Sequence, residues 1–292
     1  MHERVARGSP YAAAIRQWLG RPVWLTVAAS LILIAVYGSA VVAALWGPLP
    51  LFVAALVTFL CAHAGFSVAH EASHRAISGG AKGLGWLDTT LGYAHCWMLL
   101  YDFAAFRALH LRHHANTNIP ANDPDYWLQT HGTLDVVWRS WFIPFHYLNL
   151  YARLVARGEV SRREATKCFI GIAVLMAAFV SALVVAPIEA FVLWIVPASA
   201  ASSLINLSHR MLHLAEVSRD HRRTTRIVVG DRVWEWLMCP FFWLNNHHLI
   251  HHESPRLPAI AHKAVYAALE PELVAGGVEI VRLGRQATGR RV

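Results

Sequence analysis

Histidine is the residue type that stands out in this sequence. The chain has 18 histidines among 292 residues, and eight of them fall into three short clusters. Positions i, i+3 and i+4 of a helix share one face, so each cluster would present its imidazoles on a single side of a helix. Such a face is typical of metal ligands, whereas solvated surface histidines do not need this spacing. The clusters are His70 with His74, His110 with His113 and His114, and His248 with His251 and His252.

The number of clustered imidazoles indicates two metal ions. A single zinc ion accepts three or four protein ligands, whereas eight imidazoles suit two metals of five or six coordination. Imidazole binds Fe, Zn, Cu and Ni alike, so the donor type alone does not select the metal. A nitrogen-only ligand shell supplies no anionic ligand of its own and can accept oxygen species derived from O₂. This favours iron, the metal most able to cycle between oxidation states.

The composition is that of a membrane protein. The chain is 56% hydrophobic and only 15% charged, with a mean hydropathy of +0.38, whereas a soluble domain carries about 25% charged residues. An ordinary water-soluble enzyme is therefore a poor fit. The formal net charge of +8 suits an anionic membrane face, and no nucleic-acid partner is expected. The four cysteines form no CxxC pair, so neither a disulfide framework nor a cysteine-ligated metal is expected.

Four apolar segments predict transmembrane helices that pair into two hairpins. The predicted spans are 23–46, 51–69, 168–185 and 189–207. Another apolar segment, 84–108, contains Asp88, His95, Asp102 and Arg107. We expect it to be re-entrant or to lie along the interface, and a double crossing is the alternative. Its His95 is a candidate for the lining of a substrate channel.

The basic residues indicate which side of the membrane each segment faces. All 26 lysines and arginines lie on one side of the four crossings, and the two short turns on the other side have none. By the positive-inside rule that side is the cytoplasm. We therefore expect an all-α integral membrane protein with about four transmembrane helices and a cytosolic helical cap that carries the histidine clusters. The expected location is a bacterial-type inner (plasma) membrane, with the N-terminus, the C-terminus and the active site in the cytoplasm.

The order of the motifs resembles the membrane fatty acid desaturase superfamily, which also contains acyl hydroxylases and carotenoid ketolases. HExxH at 70–74 is followed by HxxHH at 110–114, by NDPDYW at 122–127 and by NHHLIHH at 246–252. The resemblance covers roughly residues 25–262. We accordingly expect a cytosolic amphipathic N-terminus (1–22), a membrane desaturase-like catalytic domain (23–262) and a cytosolic C-terminal tail (263–292).

The resemblance implies a non-haem di-iron centre, two iron ions that use O₂ and two electrons to attack an unactivated C–H bond. It also implies a ligand just after the last span, where Ser-His-Arg at 208–210 stands in the place of Glu-His-Arg, and so adds His209. His213 shares the helical face of His209 and is a substitute or second-shell candidate. Asp123 and Asp125 are the candidates for orienting ligand imidazoles. The ligands carried over by motif are His70, His74, His110, His113, His114, His248, His251 and His252.

The expected function is that of an O₂-dependent oxidoreductase, with a fatty acyl chain of a membrane lipid as substrate, that is, a fatty acid (acyl-lipid) desaturase. A hydroxylase or carotenoid ketolase of the same superfamily is the alternative, because desaturation and hydroxylation begin with the same hydrogen abstraction. Electrons would come from a separate carrier of ferredoxin or cytochrome b5 type with its reductase. The basic residues Arg219, Arg222, Arg223 and Arg226 could steer an acidic carrier.

Two interpretations of another class stay open at this point. HEASH at 70–74 also satisfies the zinc metalloprotease motif, in which two histidines bind zinc and Glu71 is the general base. That interpretation leaves both HxxHH motifs without a role, and metal content separates two irons from one zinc. A non-enzymatic metal carrier or sensor is the other, although transport favours ligands along a path inside the bilayer.

Overall fold

Four long helices form the membrane-spanning part of the protein. A computed structural model describes residues 10–129 and 132–284, and about 70% of it is helical. Within these residues, four segments are long and apolar enough to cross a membrane. They are Trp24–Leu45, Leu51–Ser73, Arg162–Val185 and Pro187–Leu212. The all-α membrane fold predicted from the sequence is confirmed.

The helices follow one another with short connections. The first seven are α1 (Pro10–Arg16), α2 (Trp24–Leu45), α3 (Leu51–Ser73), α4 (Gly85–Met98), α5 (Phe103–Asn116), α6 (Thr133–Ser140) and α7 (Ile143–Ala156). The others are α8 (Arg162–Val185), α9 (Pro187–Ala190), α10 (Val196–Leu212), α11 (His221–Thr224), α12 (Arg232–Phe242), α13 (His248–Glu253) and α14 (Ala259–Ala275). A 3-10 turn at Tyr126–Leu128 precedes α6, and a π-helical turn at Phe191–Ile195 joins α9 to α10. Two short strands, β1 (Ile227–Gly230) and β2 (Ile280–Leu283), pair in parallel.

The four spans differ in how much protein surrounds them. The apolar window is 50% buried in α3 and 50% buried in the α9–α10 span, against 11% in α2 and 17% in α8. The α3 and α10 helices are therefore the central pair, and α2 and α8 turn most of their side chains outward. The central pair also runs past its predicted ends, since α3 reaches Ser73 rather than Ala69 and α10 reaches Leu212 rather than Leu207. The residues beyond the predicted ends include polar ones, and most of their side chains are buried by neighbouring elements.

Local sequence accounts for where several of these helices begin. Gly47, with a φ of +88°, turns the chain between α2 and α3 in a conformation that glycine adopts without a steric penalty. The α8 helix has a capping sequence, in which the Ser161 hydroxyl accepts a hydrogen bond from the Glu164 amide at 3.2 Å. The Asp102 carboxylate caps α5 by accepting from the Ala105 amide at 2.9 Å.

The segment 84–108 forms most of a helical hairpin whose two helices, α4 and α5, both contact the region at the end of α3. With 14 residues, α4 is about 21 Å long, which is too short to cross a hydrocarbon core of about 30 Å. It starts beside the end of α3, where the Asp88 carboxylate accepts the Ser78 amide at 3.2 Å. After the turn, α5 returns to that end of α3, and Arg107 donates to the Ser73 carbonyl oxygen at 2.8 Å. A helix of this length disfavours a double crossing, and the re-entrant or interfacial placement of the segment stays a prediction.

A second apolar core lies in the cap beyond the spans. It joins α1, α13, α14 and the strand pair, and Leu249 and Ile250 of α13 are fully buried in it. This packing fixes a helix of only six residues that carries three of the predicted ligands. The division of the chain at residues 22 and 262 stays a prediction. Residues 1–9 of the predicted N-terminal segment and 285–292 of the predicted tail lie outside the described residues.

Candidate metal centre

Helices α3, α5, α10 and α13 bring histidines to one place at the ends of the two central spans. All nine predicted ligands lie there, and His213, which follows α10 directly, lies with them. His114 is partly exposed, and the other nine side chains are buried. The imidazole nitrogens form two adjoining groups that could each hold a metal ion.

The first group combines imidazoles from three helices. Its members offer ligand atoms that all lie within 4.8 Å of one another. Three contacts between Nε2 atoms run through the group, at 2.8 Å from His74 to His110, 3.1 Å from His110 to His114 and 2.9 Å from His114 to His251. The group consists of His70, His74, His110, His114 and His251.

The second group lies directly beside the first. The ligand atoms of His113, His213 and His252 lie within 4.8 Å of one another. The Nε2 atom of His248 lies 3.1 Å from that of His252 and 3.3 Å from that of His213. The His209 ring centroid lies 5.4 Å from that of His248. The second group thus has three imidazoles with ligand atoms close together, with His248 in contact with two of them and His209 packed beside His248.

The spacing of these nitrogens fits metal coordination. Neighbouring ligands at about 2.1 Å from a metal lie about 3.0 Å apart in an octahedral site and about 3.4 Å apart in a tetrahedral one. The Nε2 separations of 2.8, 3.1 and 2.9 Å in the first group match the octahedral value. In addition, the Nε2 atoms of His70, His113 and His209 are buried without a hydrogen-bond partner. Buried polar atoms of this kind are costly unless a ligand satisfies them, and a metal ion in each group would do so.

The protonation states suit metal binding. Burial lowers the pKa of the cluster histidines outside the spans, and repulsion from neighbouring imidazoles lowers it further. This applies to His74, His110, His114, His248, His251 and His252. These imidazoles are therefore neutral at physiological pH, which is the form that binds metals.

His113 differs from the other histidines of the cluster because it has a carboxylate partner. Burial acts to lower its pKa, but the Asp123 carboxylate raises that pKa to about 9. The His113 Nδ1 donates to Asp123 Oδ1 at 2.8 Å and lies 3.7 Å from Asp125 Oδ2. Asp123 also accepts the amides of Asn118 at 2.7 Å and Asp125 at 2.9 Å. The carboxylate holds the proton on Nδ1, so a metal that binds Nε2 in the second group would displace only the Nε2 proton.

The glutamate of the HExxH motif faces away from the histidines. The two Glu71 carboxylate oxygens accept the Ala259 amide at 2.7 Å and the Thr26 hydroxyl at 3.2 Å. A metalloprotease needs this carboxylate beside the metal-bound water as a general base. Glu71 instead ties α3 to α2 and α14, and this geometry contradicts the zinc protease interpretation.

Several residues near the cluster lie outside the motifs from which the sequence analysis started. The Thr117 hydroxyl lies 3.3 Å from His252 Nδ1, and the His221 ring centroid lies 5.0 Å from that of His252. Neither residue is a candidate in the sequence analysis; the i+4 spacing from His113 is the signal that would have indicated Thr117, and His221 has no such signal. His95, the candidate for lining a substrate channel, lies between α4 and α2, where its Nε2 is 2.7 Å from the Ser30 hydroxyl. It is not among the residues that line the apolar cavity between α7, α8 and α10.

An apolar cavity of about 330 Å³ lies between the α4–α5 turn, α7, α8 and α10. The Phe106 ring forms part of its wall and stacks on the His110 ring at 5.4 Å between centroids. The Tyr101 hydroxyl, at the same wall, pairs with the Ser202 hydroxyl at 2.6 Å. The cavity is therefore separated from the histidine cluster by one aromatic side chain.

A polar cavity of about 740 Å³ lies on the other side of α5. His74, His114 and His252 reach its wall, and Arg219 and Arg256 line it as well. This cavity opens the histidine cluster to water-soluble species.

Three of the four arginines suggested for carrier docking are engaged in ion pairs. Arg222 pairs with Glu253 at 2.9 Å and Arg226 with Glu279 at 3.3 Å, and Arg223 pairs with Glu216. Among the described residues, Arg219 has no ion-pair partner, and neither has Arg256. Arg219 and Arg256 therefore bring unpaired positive charge to the polar cavity, and no sequence pattern pointed to Arg256.

Comparison with known proteins gives one family. The sequence model of the family described as "Fatty acid desaturase" matches residues 44–284, which include the three histidine motifs and every residue that lines the apolar cavity. No curated protein matches the chain.

Proposed function

The chain belongs to the fatty acid desaturase family, and from this premise we propose that it is an O₂-dependent di-iron enzyme that desaturates an acyl chain of a membrane lipid. The family makes it an oxidoreductase of the desaturase and hydroxylase type. The observation that carries the proposal is the pair of adjoining imidazole groups at the end of the central spans.

The histidines would hold the two metals. We assign His70, His74, His110, His114 and His251 to one iron. We assign His113, His209, His213, His248 and His252 to the other. Two iron ions, when bound, supply the O₂-dependent removal of hydrogen from an unactivated C–H bond. His213 thereby moves from a substitute or second-shell candidate to a ligand.

Other side chains of this protein would prepare the site. Asp123 fixes the ring plane and the tautomer of His113 through the hydrogen bond at 2.8 Å. Phe106, buried and stacked on His110, keeps water in the polar cavity away from the apolar cavity. A hydrocarbon chain in the apolar cavity would lie against Phe106, with that ring between it and the metal ligand His110.

The apolar cavity supports a hydrocarbon substrate. Its wall consists mostly of apolar side chains from the membrane segments, including Leu175, Met176 and Phe179 of α8. A cavity of about 330 Å³ lies within the size range of ligand pockets, about 300–1,000 Å³. We therefore propose an acyl chain as the substrate.

The distribution of charge supports a cytoplasmic active site. The segments that carry the histidines also carry the lysines and arginines, and the turns at 47–50 and 186–188 carry none. We propose that the protein lies in a bacterial-type inner membrane with its termini and metal centre in the cytoplasm. Electrons would then come from a cytosolic carrier of ferredoxin or cytochrome b5 type with its reductase.

Lipid and pigment profiling of cells with and without the chain tests the proposal. The chain is expressed together with a ferredoxin and its reductase, and the lipids are analysed by mass spectrometry for a new double bond. A new hydroxyl or keto group instead would replace desaturation by hydroxylation or ketolation. Two irons per chain are expected in the purified protein, and unchanged lipids and pigments at full iron content would reject the enzyme in favour of a metal carrier.

Matched histidine variants test which histidines bind the metals. His110→Ala and His248→Ala each remove one imidazole from one of the two groups, and we expect both to lose product and bound iron while still inserting, because the apolar spans determine insertion. His146→Ala is the control. His146 lies on α7, packs on Trp127 with ring centroids 4.7 Å apart, and belongs to neither group. Near-normal activity in both ligand variants would refute the ligand assignment.

A further inference from the structure

The Tyr147 side chain contacts both the apolar cavity and the Asp125 carboxylate. Its ring, on α7, lines the apolar cavity beside Pro144 and Leu148. Its hydroxyl leaves the cavity and donates a hydrogen bond to Asp125 Oδ1 at 2.6 Å. An apolar site does not need this hydrogen bond, and the proposed ligand set does not include either residue.

Asp125 connects Tyr147 to His113 of the candidate metal centre through hydrogen bonds. The Asp125 amide donates to Asp123 Oδ1 at 2.9 Å, and that same oxygen accepts from His113 Nδ1 at 2.8 Å. Asp125 Oδ2 also lies 3.7 Å from His113 Nδ1. The position of the segment 123–125 therefore determines how both carboxylates meet His113, whose Nε2 is buried and has no other partner.

We propose that Tyr147 is a positioning residue that couples occupation of the apolar cavity to metal binding at His113. The open volume beside the ring gives the side chain room to rotate away from Asp125. A hydrocarbon chain in the cavity fills that volume, and the ring is then held in the conformation that bonds to the carboxylate. A ligand shifts such an equilibrium because it fits one conformation better than the other. By linkage, a bound metal favours the chain in the cavity by the same factor.

Tyr101 provides a matched control within the same cavity. The two tyrosine rings lie 5.9 Å apart between centroids, and both line the cavity. The Tyr101 hydroxyl pairs with the Ser202 hydroxyl at 2.6 Å and is not hydrogen-bonded to the Asp123 or Asp125 carboxylate. Tyr→Phe at either position removes one hydroxyl and leaves the apolar wall in place.

The test measures the loss of metal without turnover, with Co²⁺ as the metal probe and octadecanol as the cavity ligand. The purified full chain is held in amphipol without reductant, and the release of Co²⁺ to a chelator is followed by absorbance with and without octadecanol. Groups that support a ligand histidine change metal affinity by about 10–100-fold. Tyr147 acts one bond further out, so we expect octadecanol to slow Co²⁺ release from the second group by about threefold to tenfold.

Variants of Tyr147, Tyr101 and Asp125 test whether Tyr147 carries the coupling. Tyr147→Phe is expected to abolish the octadecanol effect and to release Co²⁺ faster, while Tyr101→Phe keeps the effect. Asp125→Asn is expected to behave like Tyr147→Phe, and the double variant should add nothing further. The proposal is overturned if octadecanol leaves the wild-type rate unchanged, if Tyr147→Phe keeps the effect, or if Tyr101→Phe loses it as well.

The inference rests on the proposed function only in taking the histidine groups as the metal centre and the apolar cavity as the substrate site. No oxidation takes place in the cobalt assay, so its result does not depend on the reaction. Absence of any lipid product with the cobalt coupling intact would reject the desaturase proposal alone. A lipid product without the coupling would reject the role of Tyr147 alone.

Discussion

At the residue scale, one histidine is set apart from the other members of the cluster. His113 has a carboxylate on its Nδ1 side, whereas the buried His248 has no partner for its Nδ1. The Asp123 carboxylate makes the His113 imidazole a stronger donor to a metal, because the proton on Nδ1 is shared with an anion. The two imidazole groups therefore differ in donor strength, and the difference comes from one pair of side chains.

The role of Asp123 predicts a defect in metal binding. Asp123→Asn keeps the size of the side chain but removes the charge that favours the His113 Nδ1 proton. We expect metal affinity of the second group to fall about 10–100-fold, the range seen for partners of ligand histidines. Titration of the apo-protein with Co²⁺ measures it. The half-buried Asp135, which accepts from Trp138 Nε1 at 2.9 Å, provides the control Asp135→Asn, and equal affinities in the two variants would contradict the role of Asp123.

Sequence spacing predicted the faces that carry the imidazoles, because helix geometry alone relates positions three and four apart. It could not predict partners that depend on tertiary structure. The Glu71 carboxylate bonds to an amide 188 positions along the chain, and Arg222 pairs with a glutamate 31 positions away. No local pattern encodes either contact, so the docking role given to Arg222 rested on a charge that Glu253 neutralises.

At the element scale, the helical hairpin is held against α3 by close packing. The Gly65 backbone faces the His95 ring, and a Cβ at this position would lie 2.4 Å from His95 Nδ1. His95 cannot retreat without leaving Ser30, whose hydroxyl lies 2.7 Å from its Nε2. The glycine therefore permits α4 to enter between α2 and α3.

Gly65→Ala should loosen this contact. We expect a loss of about 1–3 kcal/mol in stability, the usual cost of overpacking a core, and a lower midpoint in thermal denaturation of the purified protein. Gly38→Ala in α2 is the matched control, since a Cβ there meets nothing within 4 Å. Unchanged stability in Gly65→Ala would mean that α4 does not pack on α3 as described.

The elements themselves were largely predictable, and their ends were not. Long uncharged stretches predict spans because a bilayer tolerates few charges, and all four predicted spans are helices. The predicted ends stopped near the first polar residues, yet α3 continues to Ser73 and α10 to Leu212. Both extensions carry cluster histidines, so the sequence criterion failed where the helices leave the apolar region to form the site.

At the scale of the whole molecule, the metal centre connects parts that are distant in sequence. The first group combines imidazoles from α3, α5 and α13, and the second combines imidazoles from α5, α13 and the end of α10, so each bound metal would hold a central span to the cap. A ligand that binds only the folded state stabilises it by about 4 kcal/mol at a thousand times its Kd.

Removing the metals should therefore destabilise the entire fold. We expect a chelator to lower the midpoint of thermal unfolding of the iron-loaded protein by several degrees, measured by tryptophan fluorescence in detergent. The His110→Ala, His248→Ala double variant removes one ligand from each group and should start at the lower midpoint and not respond to the chelator. A wild-type midpoint that ignores the chelator would show that the groups do not hold metal.

The positive charge of Arg219 and Arg256 at the polar cavity predicts where an electron carrier docks. Arg219 and Arg256 line the cavity next to the histidine cluster without ion-pair partners among the described residues. Opposite charges speed the encounter of two proteins by about 10–1,000-fold at low salt. An acidic carrier would be drawn to this cavity, whose wall includes His74 and His114.

Charge reversal at both arginines should slow the carrier and remove its salt dependence. We expect Arg219→Glu with Arg256→Glu to lower the rate of carrier oxidation about tenfold at low ionic strength, and to flatten its fall with added NaCl, since a repelled carrier gains from screening. Stopped-flow oxidation of a reduced acidic ferredoxin measures both. Arg162→Glu with Arg163→Glu makes the same change in net charge at the start of α8, away from the cavity lining, and should keep the wild-type profile. Equal slowing by both pairs would assign the effect to net charge, and unchanged kinetics in the first pair would place the docking site elsewhere.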